Sequence, residues 1–352
     1  MNLAELTVEN VRCLQQARLN LHPGHNLVWG DNASGKTSLL EAVFLLGRGR
    51  SFRTRNSERL IRHGQDHLTV FGRTEGALPQ PLGIQVSRQE GTVAKVAGQF
   101  VPSLAELSRA FPVQIIEPGA HRLIEEGGHR RRRWMDWGVF HVEPSFMESW
   151  SDFTRVVKQR NAALRTQPSQ TSAWDAELVR LGEAVTTARQ SFFERLQPHW
   201  IEATATLLGT EVELHYARGW VQGLMLAEAL DASRERDIAR GLTHAGPHRA
   251  DAVLKINGKP VRDVFSRGQQ KLVAVAMILA QLRLIQEATG VTPTLLLDDP
   301  AAELDQARLV RFARQIAALR CQLIVTALSA DLDPLGSPDS TFHVEQGRVQ
   351  PV

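Results

Sequence analysis

Two cysteines, Cys13 and Cys321, are the only thiols in 352 residues, which excludes a disulfide framework and a cysteine-based metal site. Long apolar runs are missing as well. The longest, residues 272–280, has nine residues and is closed by Lys271 and later Arg283, well short of the roughly 20 that a membrane-spanning helix needs; no membrane partner is expected. The opening residues Met1-Asn2-Leu3-Ala4-Glu5-Leu6 carry no basic leader followed by an apolar stretch, so a cytoplasmic location is expected. Internal repeats and low-complexity segments are also absent. With 43% hydrophobic and 22% charged side chains, the chain is neither disordered nor fibrous and is large enough for two packed units. Lysine is scarce, six against 35 arginines. The net charge of +3 would not by itself indicate nucleic acid. Arginine suits bidentate phosphate contacts, although a GC-rich genome would produce the same bias.

The polar and apolar pattern predicts strands over 3–8, 17–21 and 26–29, the last running into a glycine, and a helix over 37–46. Residues 67–97 alternate as a β-meander, with strands near 68–73, 82–88 and 92–96. Between about 145 and 208 the period becomes helical, with one arm carrying Phe146, Trp150, Phe153, Val157 and Leu164 and a second carrying Leu178, Leu181, Val185, Phe192 and Leu196. The polar break 166–170 separates them. Arms of a few turns form a short hairpin, too short for a coiled-coil rod. Strands are expected again at 211–216 and 251–256, where Asn257-Gly258 makes a hairpin turn. A long helix over about 268–288, a buried strand at 294–297, a helix carrying Leu304, Leu309, Phe312, Ile316 and Leu319, and strands at 322–326 and 340–344 complete the pattern.

Gly30-Asp31-Asn32-Ala33-Ser34-Gly35-Lys36-Thr37 matches G-x-x-x-x-G-K-[ST] between a strand and a helix. The chain's own composition would yield roughly 0.003 such matches by chance. Loop amides and the positive end of the following helix favour an anion there. Lys36 is expected on the β and γ oxygens of ATP and Thr37 on Mg²⁺; Ser38, next on the helix, is grouped with them. Leu295-Leu296-Leu297-Asp298-Asp299 is an apolar strand ending in two carboxylates, a Walker B segment. Asp298 would hold Mg²⁺ with Thr37, and Asp299 would orient or deprotonate the attacking water. Most ABC-class relatives have Glu at that second position, and the shorter Asp predicts slow hydrolysis.

Ser266-Arg267-Gly268-Gln269-Gln270 precedes the 268–288 helix and lies 32 residues before Asp298; it resembles the LSGGQ signature of ABC ATPases. Ser266, Gly268 and Gln269 would form a second phosphate cap. One chain cannot bring that cap to its own γ-phosphate in such folds, so an ATP-dependent head-to-tail homodimer is expected. Glu303-Leu304-Asp305 stand in the D-loop position. Arg48, Arg50, Arg53, Arg55, Arg59 and Arg62 cluster just beyond the phosphate-loop helix, as binding to a DNA backbone requires; a solvated loop would look the same. A second run, Arg130 to Arg133, is followed by Trp134, Met135 and Trp137, which suggest packing. His244 and His248 lack metal-ligand spacing partners.

Further stretches extend the pattern: Glu9-Asn10-Val11-Arg12, Gly49-Arg50-Ser51-Phe52-Arg53-Thr54, Glu117-Pro118, Asp136-Trp137-Gly138, Lys158-Gln159-Arg160-Asn161-Ala162-Ala163-Leu164 and Ala245-Gly246-Pro247-His248-Arg249-Ala250-Asp251. With them the sequence resembles, along nearly its whole length, the RecF family of bacterial recombination-mediator ATPases related to SMC heads. The fold expected is α/β, a P-loop ABC-type ATPase head (SMC-like) with a β-meander subdomain and an inserted helical lobe. Residues 1–115 and 243–352 would form the composite ATPase lobe and 116–242 the helical lobe. The resemblance implies an ATP-dependent DNA-binding protein with weak ATPase activity that dimerises on ATP. It would act in DNA replication and gap repair at single-stranded/double-stranded junctions, on duplex and gapped DNA, with RecO and RecR assisting RecA. It also makes Arg12 a candidate near the nucleotide and Gln114 a candidate Q-loop residue. No switch histidine follows the strand at 324–328, and Pro300 stiffens the segment after the paired carboxylates.

Two other readings use the same motifs. The ATPase subunit of a membrane transporter would usually place its signature roughly 100 residues after the loop, against 236 here. A non-hydrolysing DNA scaffold would keep ATP only as a structural element.

Overall fold

The structure, a computed structural model, describes residues 2–76, 79–300, 306–332 and 335–352. The D-loop residues Glu303-Leu304-Asp305 lie outside the described residues. Two compact units emerge, Met1–Ala120 with Gly290–Val352, and His121–Thr289.

The first unit contains two six-stranded sheets. One is antiparallel, in the order Leu14–Asn20, Asn2–Val11, His67–Glu75, Pro81–Ser87, Gly91–Val96, Gln99–Phe100. Alternation buries one face: Leu6, Val8, Leu68, Val70, Leu82, Ile84 and Val86 are all inside. The register slips between Leu3 and Glu5, which is why Leu3 and Leu6, three apart, share the buried face. The other sheet runs Arg348–Pro351, Ser340–Glu345, His25–Trp29, Leu323–Ala327, Thr294–Leu297, Val113–Ile116 and is parallel except for its first, hairpin-paired strand. Leu323–Ala327, Thr294–Leu297 and the edge strand Val113–Ile116 are buried end to end, as a parallel sheet covered on both faces demands.

The helix Lys36–Arg48 packs against strands of both sheets, and Leu39, Leu40, Val43, Phe44 and Leu46 join a hydrophobic core of this unit. Near its end Gly47 allows close approach: a Cβ there would lie 2.5 Å from Val113 Cγ1 and 2.6 Å from the Phe111 carbonyl. The phosphate-loop helix is thereby held rigidly at the C-terminal ends of the parallel strands, where ligands bind in such sheets.

The second unit consists of the helices Gly128–Val142, Phe146–Thr166, Asp175–Leu208, Leu226–Arg240 and Arg267–Thr289, with several shorter turns. It also carries a three-stranded sheet ordered Lys259–Pro260, Asp251–Ile256, Glu213–Ala217. Asn257 and Gly258 turn its hairpin with φ of 50° and 75°, the double left-handed geometry that an Asn-Gly pair favours. Two fully buried guanidinium groups tie the helices together. Arg160 bonds Asp175, Asp237 and Thr243 at 2.8, 2.8 and 2.9 Å, and Arg189 pairs with Asp136 at 2.7 Å.

Three features differ from the sequence reading. The second boundary falls at 289/290, not 242/243, because the strand Asp251–Ile256 pairs with Glu213–Ala217 and the helix Arg267–Thr289 packs along Asp175–Leu208. The second hairpin arm ends at Leu208 as expected but is a single helix of 34 residues rather than a few turns, running through Pro198; burial of Trp200, Ala203 and Leu207 offsets the ~3 kcal/mol cost of an internal proline. The helices Gly128–Val142 and Leu226–Arg240 carry too few apolar residues outside their buried faces to announce themselves. The helix Arg267–Thr289 is long and apolar enough to cross a bilayer by length and composition, but most of it is buried inside the fold, as in a core helix.

Candidate functional site

The strand His25–Trp29 ends at Gly30, whose φ is +151° and where a Cβ would sit 2.2 Å from the Val344 carbonyl oxygen. Only glycine fits that turn. The loop then closes on itself: the Ser34 amide donates to the Asp31 carbonyl (3.2 Å), and the Gly347 amide donates to the Ser34 carbonyl (2.8 Å). Asp31, Asn32 and Ala33 form its exposed rim. Gly35 starts the helix without a side-chain cap, and no acidic residue occupies the first turn. The first helical amides and the helix dipole are therefore left for an anion. Ser34 Oγ, buried and without a hydrogen-bond partner among the described residues, adds a polar atom to the same loop.

Lys36 curls back over the loop, its Nζ donating to the Gly30 and Asp31 carbonyls at 2.6 and 2.8 Å. Burial holds its pKa below the ordinary lysine value, opposed by the negative charges of Asp299, Asp298 and Asp31. Thr37 Oγ1 lies 3.1 and 3.2 Å from the two carboxylate oxygens of Asp298. The phosphate loop and the Walker B strand, 261 residues apart, thus meet within hydrogen-bond reach. Burial raises the Asp298 pKa, while hydrogen bonds from Thr326 and Thr37 and the charge of Arg53 lower it. A hydroxyl and a carboxylate on one point are hard oxygen donors of the kind Mg²⁺ takes with phosphates. The residues fit that ion.

Sequence reasoning passed over Thr326. It is fully buried at the end of the strand Leu323–Ala327, donating to Asp298 Oδ1 (2.9 Å) and accepting the Asp299 amide (2.9 Å). The only signal available was a hydroxyl in an otherwise apolar strand. Ser38 lies beside the loop, its Oγ 3.6 Å from Cys13 Sγ.

Other candidates take different places. Arg12 reaches the phosphate-loop helix, not its loop: Nε and Nη2 donate to the Glu41 carboxylate at 3.1 and 3.2 Å, and Nη1 donates to the Arg59 carbonyl. Glu41, fully buried, also accepts from Ser51 Oγ at 2.6 Å. Gln114 is buried within the edge strand Val113–Ile116, in register with Leu295, and its Oε1 accepts from the Ile115 amide. That register stands three residues before Asp298.

Ser266, Gly268 and Gln269 belong to the second unit. The Ser266 amide and hydroxyl both donate to Gln269 Oε1 (3.0 and 3.1 Å), and the Gln269 amide donates to Ser266 Oγ (3.4 Å). This reciprocal pair is a capping box. It starts the helix Arg267–Thr289 and leaves Ser266 exposed.

Among the first arginines, Arg53, Arg55 and Arg59 are exposed. Arg48 donates to the Val113 carbonyl and lies over the Phe44 ring, Arg50 is half-buried, and Arg62 donates to the Cys13 carbonyl. Arg53, though exposed, also lies 3.8 Å from Glu41. The second run is structural: Arg131 forms a bidentate pair with Asp251, Arg132 donates to the Ala250 carbonyl, and Arg130 pairs with Glu126. No group of three or more His, Cys, Asp or Glu side chains placed to hold a metal occurs among the described residues. His244 pairs with Asp237.

Residues 2–346 match the RecF/RecN/SMC N terminal domain. The chain is 39% identical, over 99% of both lengths, to the DNA replication and repair protein RecF of Vibrio atlanticus (strain LGP32), and 38% identical over 99% of this chain to that of Vibrio parahaemolyticus serotype O3:K6. A solved structure of the recombination mediator protein RecF with ATP, from the RecFOR pathway, superposes with a TM-score of 0.89 at 27% identity, covering 100% of this chain and 97% of that one. The Smc head bound to the C-winged helix domain of ScpA shares the fold, at a TM-score of 0.60 and 16% identity over 100% of this chain and 97% of that one. A phosphate loop joined to its Walker B carboxylate inside an SMC-type head, matched end to end by these relatives, makes this chain a member of the RecF family.

Proposed function

We propose that the chain is a weak ATPase that binds DNA in an ATP-dependent manner, acting in replication and gap repair. The contact between Thr37 and Asp298 carries this reading. It joins a phosphate cradle to a carboxylate in one rigid unit, as phosphoryl transfer by positioning and charge requires. Amides of residues 33–37 and Lys36 would bind the β- and γ-phosphates. Thr37 and Asp298 would hold Mg²⁺, which when bound neutralises phosphate charge. Asp299, one methylene shorter than glutamate, orients the attacking water from farther away, and turnover is slow.

Ser266, Gly268 and Gln269 of a second copy complete the site from the opposite side of the γ-phosphate, so that ATP joins two chains head to tail. Exposed Arg55 and Arg59, with Arg53, bind the backbone of duplex or gapped DNA at single-stranded/double-stranded junctions. A role beside RecO and RecR in assisting RecA is part of this proposal, and the RecFOR pathway named for a solved RecF structure supports it. The test is phosphate release by the full chain with and without gapped DNA, together with its mass in solution with and without ATP. Slow release that rises with DNA and vanishes in Asp298→Asn, with a doubling of mass on ATP, is the expected result. Release unaffected by Asp298→Asn refutes the reading, and ATP bound without any release identifies a structural nucleotide.

A further inference from the structure

The strand Leu323–Ala327 is buried along its whole length, and four of its five side chains are apolar. A hydroxyl in such a place is costly unless it is used. Thr326 Oγ1 has one proton and two lone pairs. The proton goes to Asp298 Oδ1 at 2.9 Å, since the competing Leu297 carbonyl is 3.4 Å away, and a lone pair accepts the Asp299 amide at 2.9 Å. One hydroxyl therefore touches both carboxylate-bearing residues, the side chain of one and the backbone of the other.

The backbone of Asp299 needs such a hold. Its φ is +47°, a left-handed conformation that costs a non-glycine residue about 1 kcal/mol or more. The following Pro300 disfavours right-handed helical backbone at Asp299 and pushes it toward extended conformations. Neither residue alone stabilises what is observed.

We infer that Thr326 is a positioning residue for hydrolysis: its hydroxyl fixes the Asp298 carboxylate beside Thr37 and pins the 298–299 peptide so that Asp299 leaves the strand in the left-handed conformation. The inference rests on the ATPase reading above. Nothing in it requires Thr326 to touch nucleotide. ATP binding by the loop and Lys36 is independent of it, whereas the arrangement of the carboxylates is not.

Thr326→Val keeps the shape and strand preference of the side chain and removes the hydroxyl; Thr326→Ser keeps the hydroxyl. In the full chain, the affinity for a fluorescent ATP analogue in EDTA should stay within about twofold of the parent for both. In Thr326→Val, kcat at saturating ATP and Mg²⁺ should fall about 10- to 100-fold with little change in KM, and the Mg²⁺ concentration giving half-maximal tightening of the analogue should rise. Thr326→Ser should restore both. A crystal structure of Thr326→Val should show Asp299 relaxed to negative φ and Asp298 turned away from Thr37.

Equal loss in the serine and valine variants, or a valine variant that keeps parental kcat and its positive φ at Asp299, overturns the inference. A parent chain with no Mg²⁺-dependent ATP binding at all overturns the ATPase reading instead. In that case the crystal structure still decides whether Thr326 holds the carboxylate pair.

Discussion

Replacing Lys36 with methionine keeps most of the stem volume and removes the ammonium. That ammonium donates to two carbonyls, of Gly30 and Asp31, at 2.6 and 2.8 Å. ATP binding therefore exchanges two charge-to-dipole bonds for bonds to phosphate oxygens, and only the difference contributes to affinity. Hydrogen bonds between ionised groups exceed neutral ones enough to put that difference at about 1.5–3 kcal/mol, or roughly ten- to 150-fold in Kd. Loop amides and the helix dipole remain, worth about 0.3–2 kcal/mol, so binding should weaken without vanishing. Nucleotide-dependent dimerisation should be lost, because the γ-phosphate is no longer held where a second chain could meet it. Two freed carbonyls, Gly30 being buried, should also cost about 1–2 kcal/mol of stability. Calorimetric titration of ATP in low salt, with a melting curve on the same sample, measures both. A Kd within twofold of the parent, with an unchanged melting temperature, would refute the assignment of Lys36 to the phosphates.

Three further outcomes follow from the same geometry. Ser266→Arg should leave the ATP affinity of a single chain within about twofold of the parent and abolish the ATP-dependent gain in mass; normal dimerisation would show that the capping box is not part of the shared site. Charge reversal of exposed Arg55 and Arg59 should weaken DNA binding across sequences and reduce the salt slope by about one for each phosphate left unneutralised, while Arg131→Gln should mainly lower stability; filter binding over a salt series separates the two. His248 donates to the Thr243 carbonyl at 2.9 Å, and burial depresses its pKa to about 4, with Arg249 and Arg132 adding to the shift. The unfolded chain then binds the proton more readily, so its share of stability is complete above about pH 6.5 and is lost as pH falls toward 4, by up to ~1.4 kcal/mol per unit. His248→Asn should flatten the fall in melting temperature between pH 7 and 5, and an equally steep fall would contradict this.

Local spacing alone determined the phosphate loop, the apolar strand ending in Asp298-Asp299, the meander and the Asn257-Gly258 turn, because each is written in neighbouring residues. A glycine that must take positive φ, or an alternation that must bury one face, can be read without knowing what lies across the fold. Arg12 could not be placed that way: its partner Glu41 is 29 residues away, and only the packing of the helix Lys36–Arg48 against the first sheet brings them together. Arg130 to Arg133, followed by Trp134, Met135 and Trp137, suggested packing without naming a partner; Asp251, some 120 residues on, is the carboxylate that claims Arg131. The boundary at 289/290 was likewise set by long-range strand pairing and helix packing. Thr326 is the sharpest case. Its chemistry depends on two parallel strands lying side by side, and one-dimensional spacing carries no record of which strands become neighbours.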